Sequence, residues 1–338
     1  HQNQTPTSTV YILKNTNTKF VTFVLPLIPM IRESLFYSKI LLFGEYGIIQ
    51  DAMGLSIPYN FYKGKFHFAE DKYSDSNEHL RTYFTYLSYL EVSGEAVAKL
   101  DLAAFKKDIQ SGIAFDSSIP QGFGVGSSGA LVAAIYDKYA VDKIDSENIN
   151  KGELSKLKAI FGQMESHFHG KSSGLDPLIC YLNLPVVIKS KEELDTVGLP
   201  QETAESKGAI FLLNTQTPGE TQPMVQIFME KMKEQGFRKM MKTELKKYND
   251  ECIKSFLKGD FNPLFGNLKH LSALLLQNFS PMIPEGFKDV WKQGIETGDY
   301  YLKLCGSGGG GYILGFTRDY ANAQEQLKGY ELELVQRI

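Results

Sequence analysis

The segment PQGFGVGSSGALVAAIYDKY, Pro120–Tyr139, constrains the fold more than any other part of the chain. Four glycines fall within Gly122–Gly129, two serines sit among them, and the run from Ser127 to Tyr139 is apolar on nearly every side of a helix. Such a helix belongs in the middle of a domain, with other elements packed around it. The turn before it carries little side-chain bulk. Its N–H groups therefore converge at the positive end of the helix dipole, an arrangement suited to phosphate.

Several readings compete for that loop. The Walker pattern GxxxxGK(S/T) fails, since no lysine follows these glycines. Gly124-x-Gly126-x-x-Gly129 matches the dinucleotide fingerprint GxGxxG. That site also needs a following strand that ends in an acid, and the region after the helix, VDKIDSENINKGEL, is polar. Two readings stay open. One is a turn with only a structural role; the other is a triphosphate loop in which Ser127 and Ser128 add hydroxyls for phosphate and Mg²⁺.

With 338 residues, 43% of them hydrophobic, the chain is long enough for two domains. A formal charge of −3 gives no broad footprint for nucleic acid. The three cysteines, Cys180, Cys252 and Cys305, are far apart and odd in number, which argues against a disulfide framework and for a reducing compartment. No Cys or His spacing resembles a zinc site: His167 and His169 point to different faces of a helix. The apolar run Phe20–Ile31 is too short to span a bilayer and contains Pro26 and Pro29. Residues 1–29 read as a disordered or non-native extension, with Met30 as a candidate biological start.

Periodicity predicts a strand, turn and short apolar segment across Tyr37–Gln50 and a hairpin around Lys63-Gly64 in YNFYKGKFHFAE. A helix is expected from about Ser76 to Leu100, a strand in GIAFDSSIPQGFG, and a helix over Lys151–Gly170. PVVIK reads as a strand, and the polar run Ser190–Lys207 as the linker. Beyond it come the strand GAIFLLNTQ, helices between Gln222 and Glu296, and YYLKLCGSGGGGYILGFT, two strands around five glycines. The expected class is α+β, with an N-terminal domain over 30–203 and a C-terminal domain over 204–338.

Phosphoryl transfer needs a metal carboxylate, a cation on the phosphates and a group that positions the acceptor hydroxyl. The chain offers candidates for each. In FGQMESHFHGKSSGLDPLICY, Glu165 and His169 share one helix face. Asp176 follows a Ser-Ser-Gly bend just before Pro177, where an acid is also a good helix cap. In SKILLFGEYG, Lys39 precedes a strand and Glu45 follows it. Taken singly, Glu165 and Lys39 read as solvated charges and His169 as a partly buried histidine. The tight apolar flanks of KLCGSGGGGYILGF argue that Gly306 and Gly308–Gly311 sit close against another element or a ligand.

Together these segments resemble the GHMP kinase superfamily, and within it the mevalonate kinases. YSKILLFGEYG is similar to the first motif, PGK-apolar-FGEH, and PQGFGVGSSGA to the nucleotide loop PxGxGLGSSAA. Glu165, His169-Gly170, Ser173-Gly174 and Asp176 match E-xxx-HG-xx-SG-x-D, and KLCGSGGGG matches KLTGAGGGG. LLNTQTPGETQPMV is similar to the strand and turn that open the second lobe. Four motifs in the right order outweigh the single-residue readings.

The resemblance implies a two-lobed α+β fold with ATP in the cleft between the lobes. It implies Asp176 as catalytic base or orienting carboxylate, and Lys39 beside it as the cation on the transferring phosphoryl group. Ser128 and Glu165 would hold Mg²⁺. Gly122, Gly124, Val125, Gly126, Ser127 and Ser128 would cradle the phosphates, and Gly308, Gly309 and Gly310 would line the cleft from the other lobe. Tyr46 and His169 would lie on the substrate side, and Glu45 would lie there too or orient Lys39. The implied acceptor is a small-molecule alcohol, mevalonate first, giving 5-phosphomevalonate for isoprenoid synthesis. Homoserine, sugar and phosphomevalonate kinases and a catalytically silent nucleotide-binding protein are the alternatives. The resemblance also implies a cytoplasmic protein with no nucleic-acid or membrane partner, and it allows a homodimer.

The chain departs from the pattern in four places. Tyr46 stands where mevalonate kinases usually carry His, Tyr37-Ser38 replaces Pro-Gly, and IIQDAMG replaces VVYG. The first and third of these lie on the acceptor side. Gly129 stands where the family prefers Ala, an exchange expected to be tolerable at a helix start.

Overall fold

In the computed structural model, which describes residues 34–338 apart from 69–73, 191–192 and 203–204, the apolar segments assemble into two antiparallel sheets. The expected extension 1–29 and Met30 lie outside the described residues. The first sheet contains β1 (Phe36–Phe43), β2 (Gly54–Phe68), β3 (Ile113–Ser117), β4 (Val186–Ile188) and β5 (Leu194–Thr196). β2 is the hub: it pairs with β1 along much of its length, with β4 at its start and with β3 at its end, while β5 pairs with β4.

The same lobe carries α1 (Asp75–Ser93), α2 (Leu102–Gln110), α3 (Ser127–Tyr139), α4 (Lys151–His169) and α5 (Leu175–Leu182). α3 is central, as its all-round apolarity requires: Ala130, Val132, Ala133, Ala134, Ile135 and Tyr136 are all buried. It packs on α4, α5 and β1. Burying Val132 and Ile135 contributes about 1.5–3 kcal/mol each. That burial fixes where α3 begins, and so where the glycine loop sits.

The second lobe is built on β6 (Ala209–Asn214), β7 (Tyr301–Leu304), β8 (Tyr312–Thr317) and β9 (Leu332–Arg337), in the order β7-β8-β6-β9. Its helices are α6 (Thr221–Lys231), α7 (Gln235–Met240), α8 (Lys246–Leu257), α9 (Phe261–Asn278), α10 (Lys288–Thr297) and α11 (Tyr320–Gln326). A π-helical turn, Met241–Leu245, joins α7 to α8. Among the described residues no helix is long and apolar enough to cross a membrane. All three cysteines are buried and form no disulfide.

Four local expectations need correction, the first being that Lys39, expected ahead of its strand, lies within β1. Lys63-Gly64 is not a hairpin turn; it lies within the continuous strand β2. Gly64 is needed for space, because a Cβ there would come within 2.4 Å of the Phe115 ring on β3. The run Ser190–Lys207 is not a bare linker, since Leu194–Thr196 forms β5, with Leu194 buried against Ile188 of β4. The helix expected to reach Leu100 stops at Ser93, where Gly94 closes it in the left-handed conformation.

Candidate active site

The glycine loop runs from β3 to α3. Gly126 precedes the helix with φ 85° and, having no side chain, places no cap of its own over the first turn. The loop is pinned to β1 by the Lys39 N–H, which donates to the Val125 carbonyl at 3.0 Å. Lys39 thus positions the loop with its backbone while its side chain runs beneath it: Nζ lies 3.4 Å from the Gly124 carbonyl.

That ammonium is buried, and its partner is Asp176, with Nζ to Oδ2 at 2.8 Å. Asp176 is the second residue of α5, and the helix is capped by Gly174, so the carboxylate is engaged by Lys39 instead of capping its own helix. Burial penalises the Lys39 charge, but the Asp176 carboxylate beside it leaves the pKa raised above the usual lysine value. Lys39 therefore keeps its proton.

Gly129 explains how α5 comes so near. A Cβ at this position would lie 2.8 Å from the Asp176 carbonyl carbon and 2.9 Å from Pro177 N. The exchange of alanine for glycine, read from sequence as merely tolerable, is a requirement of this packing.

Glu165 on α4 completes the group. Ser128 donates to its Oε1 at 3.1 Å, and Ser172 donates to its Oε2. Burial, with the Asp176 charge second, pushes the Glu165 carboxyl up to about 7. A carboxyl whose pKa is raised in the folded state contributes stability in full below its unfolded value and loses it as pH rises through the folded one. For Glu165 that window runs from about 4.5 to about 7. Glu165→Gln is expected to flatten it. Urea unfolding of the free protein between about pH 4.5 and 8 should show the unsubstituted chain losing on the order of 3 kcal/mol more than the variant.

The second glycine loop, between β7 and β8, closes on the first. Gly124 approaches the Cys305 carbonyl so nearly that a Cβ would sit 2.6 Å from it. The Gly219 N–H donates to the Gly122 carbonyl at 2.8 Å. Between the lobes lies a cleft of about 980 Å³. Lys39, Asp176, Glu165, Gly122, Gly124, Gly126, Ser127 and Ser128 line one side, and Thr221, Ser307, Gly308 and Gly310 the other. Val125 and Gly309 support this lining: Val125 is buried, and the Gly309 N–H donates to the Met282 carbonyl at 2.6 Å.

Glu45 and Tyr46, expected on the substrate side, are turned into the junction of the lobes instead of the cleft. Glu45 accepts from the Lys303 ammonium, and both are buried. The Tyr46 hydroxyl donates to the Ser307 carbonyl at 2.8 Å. His169 ends α4, and its side chain lies outside the described residues.

Sequence reasoning missed Lys303, although a lysine within the apolar strand YYLKL signals a buried partner. It also missed Ser172, which no spacing rule singled out.

Residues 92–183 match the GHMP kinases N terminal domain, and residues 252–330 the GHMP kinases C terminal. Among solved structures the chain is similar to Lactococcus lactis galactokinase complexed with galactose, with a TM-score of 0.61 at 13% identity, covering 91% of this chain and 94% of that one. It is similar to L. major mevalonate kinase in complex with R-mevalonate, with a TM-score of 0.58 at 15% identity, covering 90% and 96%. Streptococcus pneumoniae phosphomevalonate kinase in complex with phosphomevalonate and AMPPNP aligns with a TM-score of 0.61 at 12% identity, covering 89% and 99%. A search of curated proteins by sequence found no match. Two family domains matched in order, on a two-lobed α+β fold whose glycine loops meet over a paired lysine and aspartate, lead to one conclusion: the chain belongs to the GHMP kinases, a family of ATP-dependent phosphotransferases.

Proposed function

We propose that the protein transfers the γ-phosphate of ATP to the primary alcohol of a small anionic acceptor, mevalonate, forming 5-phosphomevalonate in the cytoplasm as a step of isoprenoid synthesis. The observation that carries this reading is the Lys39–Asp176 pair, held at 2.8 Å where the two glycine loops meet. Asp176 orients the acceptor hydroxyl and accepts its proton as the oxygen bonds to phosphorus and the bond to the ADP oxygen breaks. Lys39 keeps its own proton and stabilises negative charge on the group in transfer. The Gly122–Ser128 amides hold the phosphates. The segment Glu165–Asp176, with its His-Gly and Ser-Gly pairs, favours mevalonate among the acceptors, and Lys171 adds a cation to the cleft wall.

Ser128 and Glu165 fit Mg²⁺, which takes one or two carboxylates and fills its shell with phosphate oxygens and water. Among the described residues no cluster of three or more His, Cys, Asp or Glu offers a denser cage. Held there, the ion would supply positive charge to offset that of the phosphates.

An acceptor panel read by ATP consumption tests the proposal. Mevalonate is expected to turn over at about 1–100 s⁻¹, with homoserine, galactose and phosphomevalonate far slower. Preferred turnover of another acceptor replaces mevalonate in this reading. ATP binding without turnover of any acceptor makes the protein a silent nucleotide binder.

A further inference from the structure

Glu45 and Tyr46 occupy the turn after β1, and the backbone there is strained. Tyr46 has φ 55°, a left-handed conformation that a bulky residue adopts only when its surroundings enforce it. Its side chain shows what enforces it. The ring centroid lies 4.6 Å from that of Phe228 on α6 and 5.7 Å from that of Phe279 after α9, and the hydroxyl donates to the Ser307 carbonyl at 2.8 Å.

Each of these partners supports the second glycine loop. α6 presents Thr221 to the cleft and packs Met224 against Gly309. Phe279 leads into the turn whose Met282 carbonyl accepts from the Gly309 N–H. Ser307 is in the loop itself. One residue earlier, Glu45 takes the Lys303 ammonium, which also donates to the Leu304 carbonyl at 3.0 Å just before the loop begins. Two consecutive side chains from the lobe that carries Lys39 thus hold the opposite loop at both its entrance and its crest.

We propose that Glu45 and Tyr46 act as a two-point clamp that sets the second glycine loop over the Lys39–Asp176 pair, with Tyr46 a positioning residue for phosphoryl transfer. This extends the kinase reading and rests on it for the kinetic consequence alone. The loop meets the first glycine loop at Gly124, so its height decides how closely the cleft shuts around the transferring group. Buried carboxylate and ammonium fix the strand end. The Tyr46 hydroxyl, whose acceptor Ser307 is half-buried, holds the loop itself.

Tyr46→Phe tests the clamp, because it keeps the ring cluster and deletes only the bond to Ser307. Amide hydrogen exchange at Gly309 and Gly311 is expected to rise about tenfold, with α3 and α5 unchanged. In turnover, kcat should fall about tenfold, with KM for ATP and for mevalonate held within about twofold. Loop exchange equal to that of the unsubstituted protein overturns the proposal. A raised acceptor KM at unchanged kcat also overturns it, since Tyr46 would then touch the acceptor. The exchange measurement needs no substrate, so failure of the clamp is distinguishable from failure of the kinase reading, which shows as no turnover by the unsubstituted protein.

Discussion

Asp176→Asn is expected to lower kcat by about 10²–10⁴-fold, the range that a positioned proton acceptor contributes. Nucleotide affinity should stay within a few-fold, because the amides proposed to hold the phosphates belong to Gly122–Ser128, outside α5. The substitution also strips the buried Lys39 ammonium of its carboxylate, leaving the Gly124 carbonyl at 3.4 Å. A buried charge without a partner is costly, but Asp176 is 39% exposed and water in the cleft screens the loss. The expected destabilisation is about 1–2 kcal/mol. Steady-state kinetics, nucleotide titration and urea unfolding together separate the catalytic effect from the structural one. Near-equal kcat in the two proteins would leave Asp176 with only a structural role.

Gly129→Ala makes the second large effect, and its sign turns on two opposing magnitudes. Inside a helix, alanine ordinarily gains about 0.5–1 kcal/mol over glycine. Here the new methyl meets the backbone of Asp176 and Pro177 below 3.0 Å, and neither can swing aside as a flexible side chain would. Overpacking of that kind costs about 1–3 kcal/mol, so the clash outweighs the propensity. The first turn of α5 must shift, carrying Asp176 with it. A displacement approaching 1 Å at a reacting group costs on the order of 10²-fold in rate, so kcat is expected to drop between about 10- and 100-fold. Calorimetric melting and kcat measured on one preparation check both halves. A variant that is both more stable and fully active would show that α5 has more room than its backbone contacts indicate.

The parts of the fold that were legible are those encoded by adjacent residues. α3 is legible in its own all-round apolarity, and the two glycine loops in uninterrupted runs. Lys39 and Asp176 come together only through the packing of β1, α3 and α5, and spacing alone would have left one a solvated charge and the other a cap. Family motifs supplied what local chemistry did not.

The errors have physical causes. Lys63-Gly64 carries the composition of a turn, but the glycine serves the Phe115 ring across the sheet. The polar run Ser190–Lys207 is broken by Leu194, Val197 and Leu199, and Leu194 pairs with Ile188 where β5 meets β4. Glu45 and Tyr46 are a different case: the motif marks both residues but not what they pack against. Their partners, Lys303, Phe228, Phe279 and Ser307, come from distant segments that no local pattern connects.

The most direct measurement is phosphorus NMR of a reaction that contains the protein, ATP, Mg²⁺ and mevalonate, run beside the same mixture with Asp176→Asn. The account predicts a new phosphomonoester resonance that grows as the γ-phosphate signal fades, and almost none with the variant. Loss of γ-phosphate to inorganic phosphate alone, or equal ester formation by both proteins, would contradict it.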